Sequence, residues 1–306
     1  MKVLMATDGS PSSTTAIRTA SRIVRKEKLL VDLLCVVPQL ELATGKKIKS
    51  RGEIVRAQET YQNRITVEAQ KILEAGNSHL ALEGVKAQTL ILFGSPAKVI
   101  VDLAVNYDLT VIGGHDRFQS SMPGLGHVAM RIVEHASNAV LVAREYSVGR
   151  SLRVLLGTDG SLASEHALRF MASALQLDSS EVTLMHIAET PWVHLGLEQE
   201  WFEYPCREFA EADPEGQIDR QIRRESEEII EHSRRLLESY GLSSETISTE
   251  GDPALEILSE AERGEYDLIV LGSTGETGFK QDLLGSVTAR VAKDAPCSVL
   301  IPKFIE

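Results

Sequence analysis

The chain is written twice. "VLMATDGSPSSTTAIRTA" from Val3 recurs as "VLLGTDGSLASEHALRFM" from Val154, and Asp8 maps to Asp159 at a shift of 151. "LLCVVP" recurs as "LMHIAE" at the same shift, which pairs Val36 with Ile187. "GSPAKVIVDLAVNYDLTVIGG" recurs as "GDPALEILSEAERGEYDLIVLGS"; Gly94 to Gly251 is 157, and Asp108 to Asp267 is 159. The order of segments is kept throughout. A period of about 150 residues is too long for a solenoid repeat and fits a duplicated domain. The boundary is expected in "REYSVGRS", Arg144 to Ser151, giving domains over 1–147 and 151–306.

Within each copy, short apolar runs alternate with amphipathic segments. In the second copy "RVLLGT", "VTLMHIA", "SETISTEG", "YDLIVLG" and "CSVLIPK" read as five strands. Continuous apolar runs of this kind suit strands covered on both faces. The segments between them read as helices. The first carries Ala163, Ala167, Phe170, Met171 and Ala174 on one stripe. The third starts at Pro253 and stops before Gly264. Strand–helix alternation predicts an α/β fold: two doubly wound, five-stranded parallel-sheet domains in tandem. Ligands of such sheets bind at the carboxyl ends of the strands, beside the switch point.

Charge excludes some functions. The net charge is −12, which argues against a nucleic-acid partner. It is unevenly spread: residues 1–147 hold 18 Lys and Arg against 14 Asp and Glu, net +4, and the remainder 14 against 30, net −16. No apolar run approaches the roughly 20 residues of a membrane helix. The opening "MKVLMATDGS" lacks signal-peptide anatomy, so a cytoplasmic location and no membrane partner are expected. Cys35, Cys206 and Cys297 are far apart. They support neither a zinc site nor a disulfide framework, and Cys35 and Cys297 read as buried thiols.

The stretch after the fourth strand of the second copy, "GSTGETGFKQDLLGS", is where chemistry concentrates. Gly272 and Gly275 lack Cβ and let backbone N–H groups approach a ligand. Gly285-Ser286 opens the last helix, with Ser286 expected as its N-cap. A helix start offers unpaired N–H donors and partial positive charge, which favour phosphate. GxxxxGK[ST] occurs nowhere, so this is no P-loop. "GLGHVA" at Gly124 fits GxGxxA but does not follow a strand.

The spacing G-2x-G-9x-G-[ST] resembles the nucleotide-binding signature of the universal stress protein family. Gly272, Gly275, Gly285 and Ser286 match it in full. The Asp of "TDGS", the "GDPALEIL" block and the closing "CSVLIPK" strand are similar to that family too. The resemblance covers nearly the whole chain, twice. It implies ATP binding, with Mg or Mn on the phosphates. It also implies that Thr158, Asp159 and Ile187 line the adenine pocket, that Gly272 and Ser273 lie at the ribose, and that Gly275, Gly285, Ser286 and Val287 serve the phosphates.

The first copy departs from the signature. Gly113 and Gly126 are kept, but Asp116 stands for the second glycine and His127 for the serine. A carboxylate about 4 Å from a phosphate repels it by roughly 1–4 kcal/mol for effective dielectrics of 80 to 20. The N-terminal domain is therefore expected to be empty of nucleotide, although Asp8 and Val36 leave room for an adenine-sized cleft. His115, His135 and His186 read as structural or surface residues rather than ligands.

No HExxH, GxSxG or Cys/His pairing is present, so no catalytic residue is nominated. Glu276 and Lys280 read as surface charges of the loop. The function expected is a nucleotide-dependent sensor or adaptor in stress response. A scaffold without nucleotide, or a slow ATPase, is the alternative. Members of the family pair through their fifth strands, and "NAVLVAR" and "CSVLIPK" are alike, which implies an internal pseudo-dimer and a homodimer of the whole chain. The second copy also carries an acidic segment, 191–216, with Trp192 and Trp201. Its counterpart in the first copy holds Lys46, Lys47, Lys49 and Arg51, and two readings stand: the acidic segment docks on a basic surface, of the first copy or of a second chain, or it is a solvated loop whose aromatics pack on their own domain.

Overall fold

The computed structural model describes residues 1–39, 51–114, 125–145, 149–188, 217–275 and 284–303, with side chains from residue 60 in the second helix and from 220 in the sixth. The chain divides into two compact units, Met1–Tyr146 and Ser147–Glu306. His115, Asp116, Glu276, Lys280, Cys206, the tryptophan segment 191–216 and Lys46, Lys47 and Lys49 lie outside the described residues.

The first unit runs β1 (Lys2–Ala6), α1 (Pro11–Ile23), β2 (Leu30–Val37), α2 (Arg51–Leu82), β3 (Ala87–Phe93), α3 (Pro96–Ala104), β4 (Leu109–Gly113), α4 (His127–His135) and β5 (Ala139–Ala143). Its strands pair in parallel in the order β3-β2-β1-β4-β5. The second unit runs β6 (Arg153–Gly157), α5 (Leu162–Ala174), β7 (Glu181–Ala188), α6 (Gln217–Ser239), β8 (Ser244–Glu250), α7 (Pro253–Arg263), β9 (Leu268–Val270), α8 (Ser286–Asp294) and β10 (Ser298–Ile301). Its strands pair in parallel in the order β8-β7-β6-β9-β10. Each unit is the doubly wound sheet expected from the alternation of runs.

The order reverses between β1 and β4, and between β6 and β9. Successive crossovers leave these adjacent strands in opposite directions, which opens a crevice at their carboxyl ends. The central strands are largely apolar and their middles sealed: Leu4, Met5 and Leu109 in one unit, and Leu155, Leu156 and Ile269 in the other, are buried, as are Leu141 on β5 and Leu300 on β10. The outer strands β3 and β8 hold only half-buried and exposed residues, as edges do. Cys35 and Cys297 are buried, as their apolar runs imply.

Two local expectations need correction. The buried stripe of α5 contains Leu168 in place of Phe170. Phe170 stays half-buried against the His166 ring, with centroids 6.5 Å apart. And the cap of α8 falls one residue earlier than predicted: Gly285 is the N-cap, with φ −61° and ψ 148°, and Ser286 is the first helical residue. The extended backbone at Gly285 is what the cap position requires, and it shifts the serine hydroxyl out of the capping role.

Candidate functional site at the sheet edge

The site of the second unit is assembled from three chain segments at the carboxyl edge. The first is the turn after β6. Here Ser161 donates from its backbone N–H to Asp159 Oδ1 at 3.0 Å and from its hydroxyl at 2.6 Å. Ser161 also caps α5, because its Oγ accepts from the Ser164 N–H at 3.2 Å. One serine thus fixes the helix start and the orientation of the carboxylate. The turn needs a left-handed residue between the two, and Gly160 supplies it with φ +81°.

Thr158, immediately before, is buried and spends its polar atoms on the fold. Its N–H donates to the Met185 carbonyl at 2.9 Å. Its carbonyl lies 2.9 Å from His186 Nδ1, and its hydroxyl 3.1 Å from Ser233 Oγ on α6. Thr158 therefore acts by placing Asp159. His186 is a structural residue, as its strand position suggests. Ile187 follows it and is 9% exposed, at the β7 end where a ligand face would contact it.

The second segment is the glycine stretch after β9. A β-carbon at Gly272 would stand 2.8 Å from the Ala163 carbonyl carbon and 2.9 Å from the Ser164 nitrogen. The glycine is demanded by the close approach of the α5 backbone to β9. The first unit repeats this at Gly113, where a β-carbon would stand 2.7 Å from the Ser12 carbonyl carbon. That packing constraint holds whatever either cleft binds. Ser273 is buried, and its carbonyl accepts from the Gly285 N–H at 2.8 Å, which ties the two ends of the loop together. Gly275 lies against Asp159: a β-carbon there would be 3.0 Å from Asp159 Oδ2.

The third segment is the start of α8. Gly285 has room, since a β-carbon would meet nothing nearer than 3.5 Å. With glycine at the cap, no side chain caps the helix. The N–H groups of Ser286, Val287 and Thr288 have no carbonyl four residues back inside the helix to receive them. They form a cluster of backbone donors at the positive end of the helix. Thr288 locks this start to β9 by donating its hydroxyl to the Gly272 carbonyl at 2.7 Å. Neither Thr288 nor Ser161 was nominated from sequence. The repeated "TDGS" signals Ser161, but Thr288 has no counterpart, since Ala129 occupies its place.

The first unit keeps the turn, the glycine at the end of β4 and the glycine cap: Gly126 is the N-cap of α4, and no side chain caps that helix either. Asp8 Oδ1 accepts from the Ser10 N–H at 3.0 Å and from its hydroxyl at 2.5 Å. Burial is the largest influence on this carboxyl and pushes its pKa up. The hydrogen bonds from Ser10 and Ser13 together outweigh it and hold the group below its ordinary value. A cavity of about 320 Å3 opens beside it, lined by Asp8, Ser12, Leu34, Val36, Ile100, Ile112 and the start of α4 at Gly126 and His127, among others. Burial and the Asp8 charge push the nearby Cys35 thiol up. Beyond β4, Gly114 is covered by Arg144, whose Cγ and Nε would lie 2.9 and 3.0 Å from a β-carbon there.

These geometries have close relatives. The sequence model of the universal stress protein family matches residues 1–144 and again 151–303. A universal stress protein of Methanocaldococcus jannaschii is 30% identical over 174 residues, covering 54% of this chain and 94% of its own. A universal stress protein of Mycobacterium tuberculosis is 24% identical over 312 residues, covering 98% of this chain and 96% of its own. The crystal structure of a universal stress protein from Archaeoglobus fulgidus superposes with a TM-score of 0.65 at 18% identity, over 99% of this chain and 98% of that one. The last likeness shows the fold, and the double match shows that both halves share one ancestry. Two doubly wound units, each with its "TDGS" turn facing a glycine at the end of the fourth strand, thus place this chain in the universal stress protein family.

Proposed function

We propose that the second unit binds an adenine nucleotide, ATP foremost, and that the chain acts as a nucleotide-dependent sensor or adaptor rather than as an enzyme. One observation carries the reading. The Asp159 carboxylate lies against Gly275, and the uncapped start of α8 follows Gly285, whose β-carbon would be 3.8 Å from the Gly275 nitrogen. The carboxylate is an acceptor suited to the N–H edge of a base. The helix start is a cluster of donors suited to phosphate oxygens. Gly275 and Gly285 keep β-carbons out of the path between them.

In this reading Asp159 and Ile187 meet the base, and Ser273 and Gly275 flank the sugar and the first phosphates. The N–H groups of Ser286 and Val287 hold the phosphate chain. Among the described residues no group of three His, Cys, Asp or Glu side chains is placed to hold a metal ion. A Mg or Mn ion therefore enters on the phosphates, whose charge it offsets. Binding that favours one conformation of the chain then changes its affinity for partners. Homodimerisation of the whole chain belongs to the same reading.

The test is direct. Purified chain is denatured and the supernatant assayed for released nucleotide, and emptied, refolded chain is titrated with Mg-ATP. Retained ATP or saturable binding supports the reading. No released nucleotide together with no binding overturns it and leaves the scaffold alternative. Steady phosphate release that disappears in Gly275→Asp would make the protein an ATPase instead.

A further inference from the structure

We propose that Ser233 on α6 is a positioning residue of the second unit's site: through Thr158 it fixes the turn that carries Asp159, a tie the first unit lacks. α6 rests on that turn in two places. Ile229 covers Gly160, where a β-carbon would stand 2.9 Å from its Cγ1. One turn further along the helix, Ser233 places its hydroxyl 3.1 Å from the Thr158 hydroxyl, and both residues are buried.

The direction of the bonds follows from counting protons. A hydroxyl has one to donate. Ser164 gives its own to the Ser161 carbonyl at 2.9 Å, so toward Thr158, 3.3 Å away, it accepts. Thr158 therefore donates to Ser164 and accepts from Ser233. It also accepts from the Gly160 N–H at 3.4 Å. The bonds run from Ser233 to Thr158, from Thr158 to Ser164, and from Ser164 to the Ser161 carbonyl. Ser161 in turn holds Asp159 Oδ1, its hydroxyl donating at 2.6 Å. In a buried chain of this kind each bond strengthens the next, so the loss of its first donor is felt along the turn.

The first unit keeps the inner half of this chain. Ser13 donates to the Ser10 carbonyl at 3.0 Å, Thr7 lies 3.1 Å from Ser13, and the Gly9 N–H donates to Thr7 at 3.3 Å. Ile72 covers Gly9 as Ile229 covers Gly160, with a β-carbon there 2.8 Å from its Cγ1. The place of Ser233 is taken by Gly76, at the shift of 157 that pairs Gly94 with Gly251. A β-carbon at Gly76 would stand 2.8 Å from Leu33 Cδ2 and 3.1 Å from Ile17 Cδ1, so apolar side chains fill the space of the hydroxyl. A displacement of α6 thus reaches the Asp159 turn by an apolar contact and a hydrogen bond. In the first unit Gly76 leaves only the first of these two.

The effect on Mg-ATP rests on the nucleotide reading of the second unit; the effect on the turn does not. The experiment uses the full chain and has two arms. Without ligand, hydrogen exchange is followed by NMR at the Gly160, Ser161 and Ser164 amides, which donate to Thr158, Asp159 and Ser161. Ser233→Ala should speed it by about threefold or more. Ser226→Ala is the control, since Ser226 is also buried on α6 but donates to the Ile222 carbonyl at 2.9 Å, and it should leave the turn unchanged. In the second arm, Mg-ATP affinity should fall by about threefold to tenfold in Ser233→Ala, the worth of one hydrogen bond, and stay at the wild-type value in Ser226→Ala. Thr158→Val removes the same bond from the other side and replaces Ser233→Ala if that variant does not fold, folding being checked by thermal melting. Unchanged exchange in Ser233→Ala, an equal rise in Ser226→Ala, or faster exchange with Mg-ATP affinity intact overturns the proposal. Faster exchange confined to Ser233→Ala, in a chain that binds no Mg-ATP, supports the tie and overturns the nucleotide reading alone.

Discussion

Gly275 lies so close to Asp159 that a β-carbon on it would stand 3.0 Å from the carboxylate Oδ2. The first unit has Asp116 at the corresponding place, so Gly275→Asp copies the first unit's own choice. It sets a second carboxylate beside Asp159 and the phosphate path. Like charges about 4 Å apart repel by roughly 1–4 kcal/mol for effective dielectrics of 80 to 20. Mg-ATP affinity should fall by about tenfold or more. The melting temperature without ligand should fall less than the affinity does, because Gly275 is exposed and the new side chain can turn its charge into water. Titration and a thermal melt of the same preparation check both halves.

Gly272→Ala should behave in the opposite way. Its β-carbon would be pushed to 2.8 Å from the α5 backbone, which cannot swing aside as a side chain can. The expected cost is about 1–3 kcal/mol of stability, as for other overpacked sites. Gly113→Ala should cost a similar amount in the first unit, where the contact is 2.7 Å. Urea denaturation measures both. Equal losses would confirm that these glycines are kept by packing, whatever each cleft binds.

The contrast shows what the sequence made legible. Repetition and the strand–helix alternation of each doubly wound unit could be read because apolar runs and their spacing survive in both copies. The "TDGS" turns were visible for the same reason. The roles inside the glycine stretch were harder to read. Gly272, Gly275 and Gly285 look alike in sequence, yet one is fixed by α5, one faces Asp159, and one caps α8. Only the distances separate them. Ser286 was expected as the cap because serine favours that position, but the extended backbone falls one residue earlier. Thr288 carried no signal, since its bond to the Gly272 carbonyl depends on how α8 meets β9.

Thr288→Val removes that bond at nearly constant shape. The Gly272 carbonyl then loses a buried donor, at a cost of about 1–3 kcal/mol. The start of α8 also loses its tie to β9. Stability and Mg-ATP affinity should therefore fall together, in contrast to Gly275→Asp, where affinity falls more than stability. Chemical denaturation and titration of the variant separate the two patterns.

Asp8 should leave a mark on acid stability. Its folded pKa lies below the ordinary 3.8, so the folded state holds its charged form more tightly than the unfolded chain does. The stability this contributes is fully present above that ordinary value. It is lost as pH falls below it and through the folded value. Asp8→Asn should flatten the acid limb of stability below about pH 4 and leave it unaltered near neutrality apart from a constant offset. Urea midpoints across pH 2.5–7, on the order of half a unit apart, provide the measurement.

The central claim is that one chain holds two similar clefts, of which the second alone takes ATP. Equilibrium dialysis of emptied chain against labelled Mg-ATP counts the sites most directly. The account predicts one equivalent per chain, lost in Gly275→Asp and retained in Asp8→Asn. Two equivalents, none, or one that disappears in Asp8→Asn and survives in Gly275→Asp would contradict it.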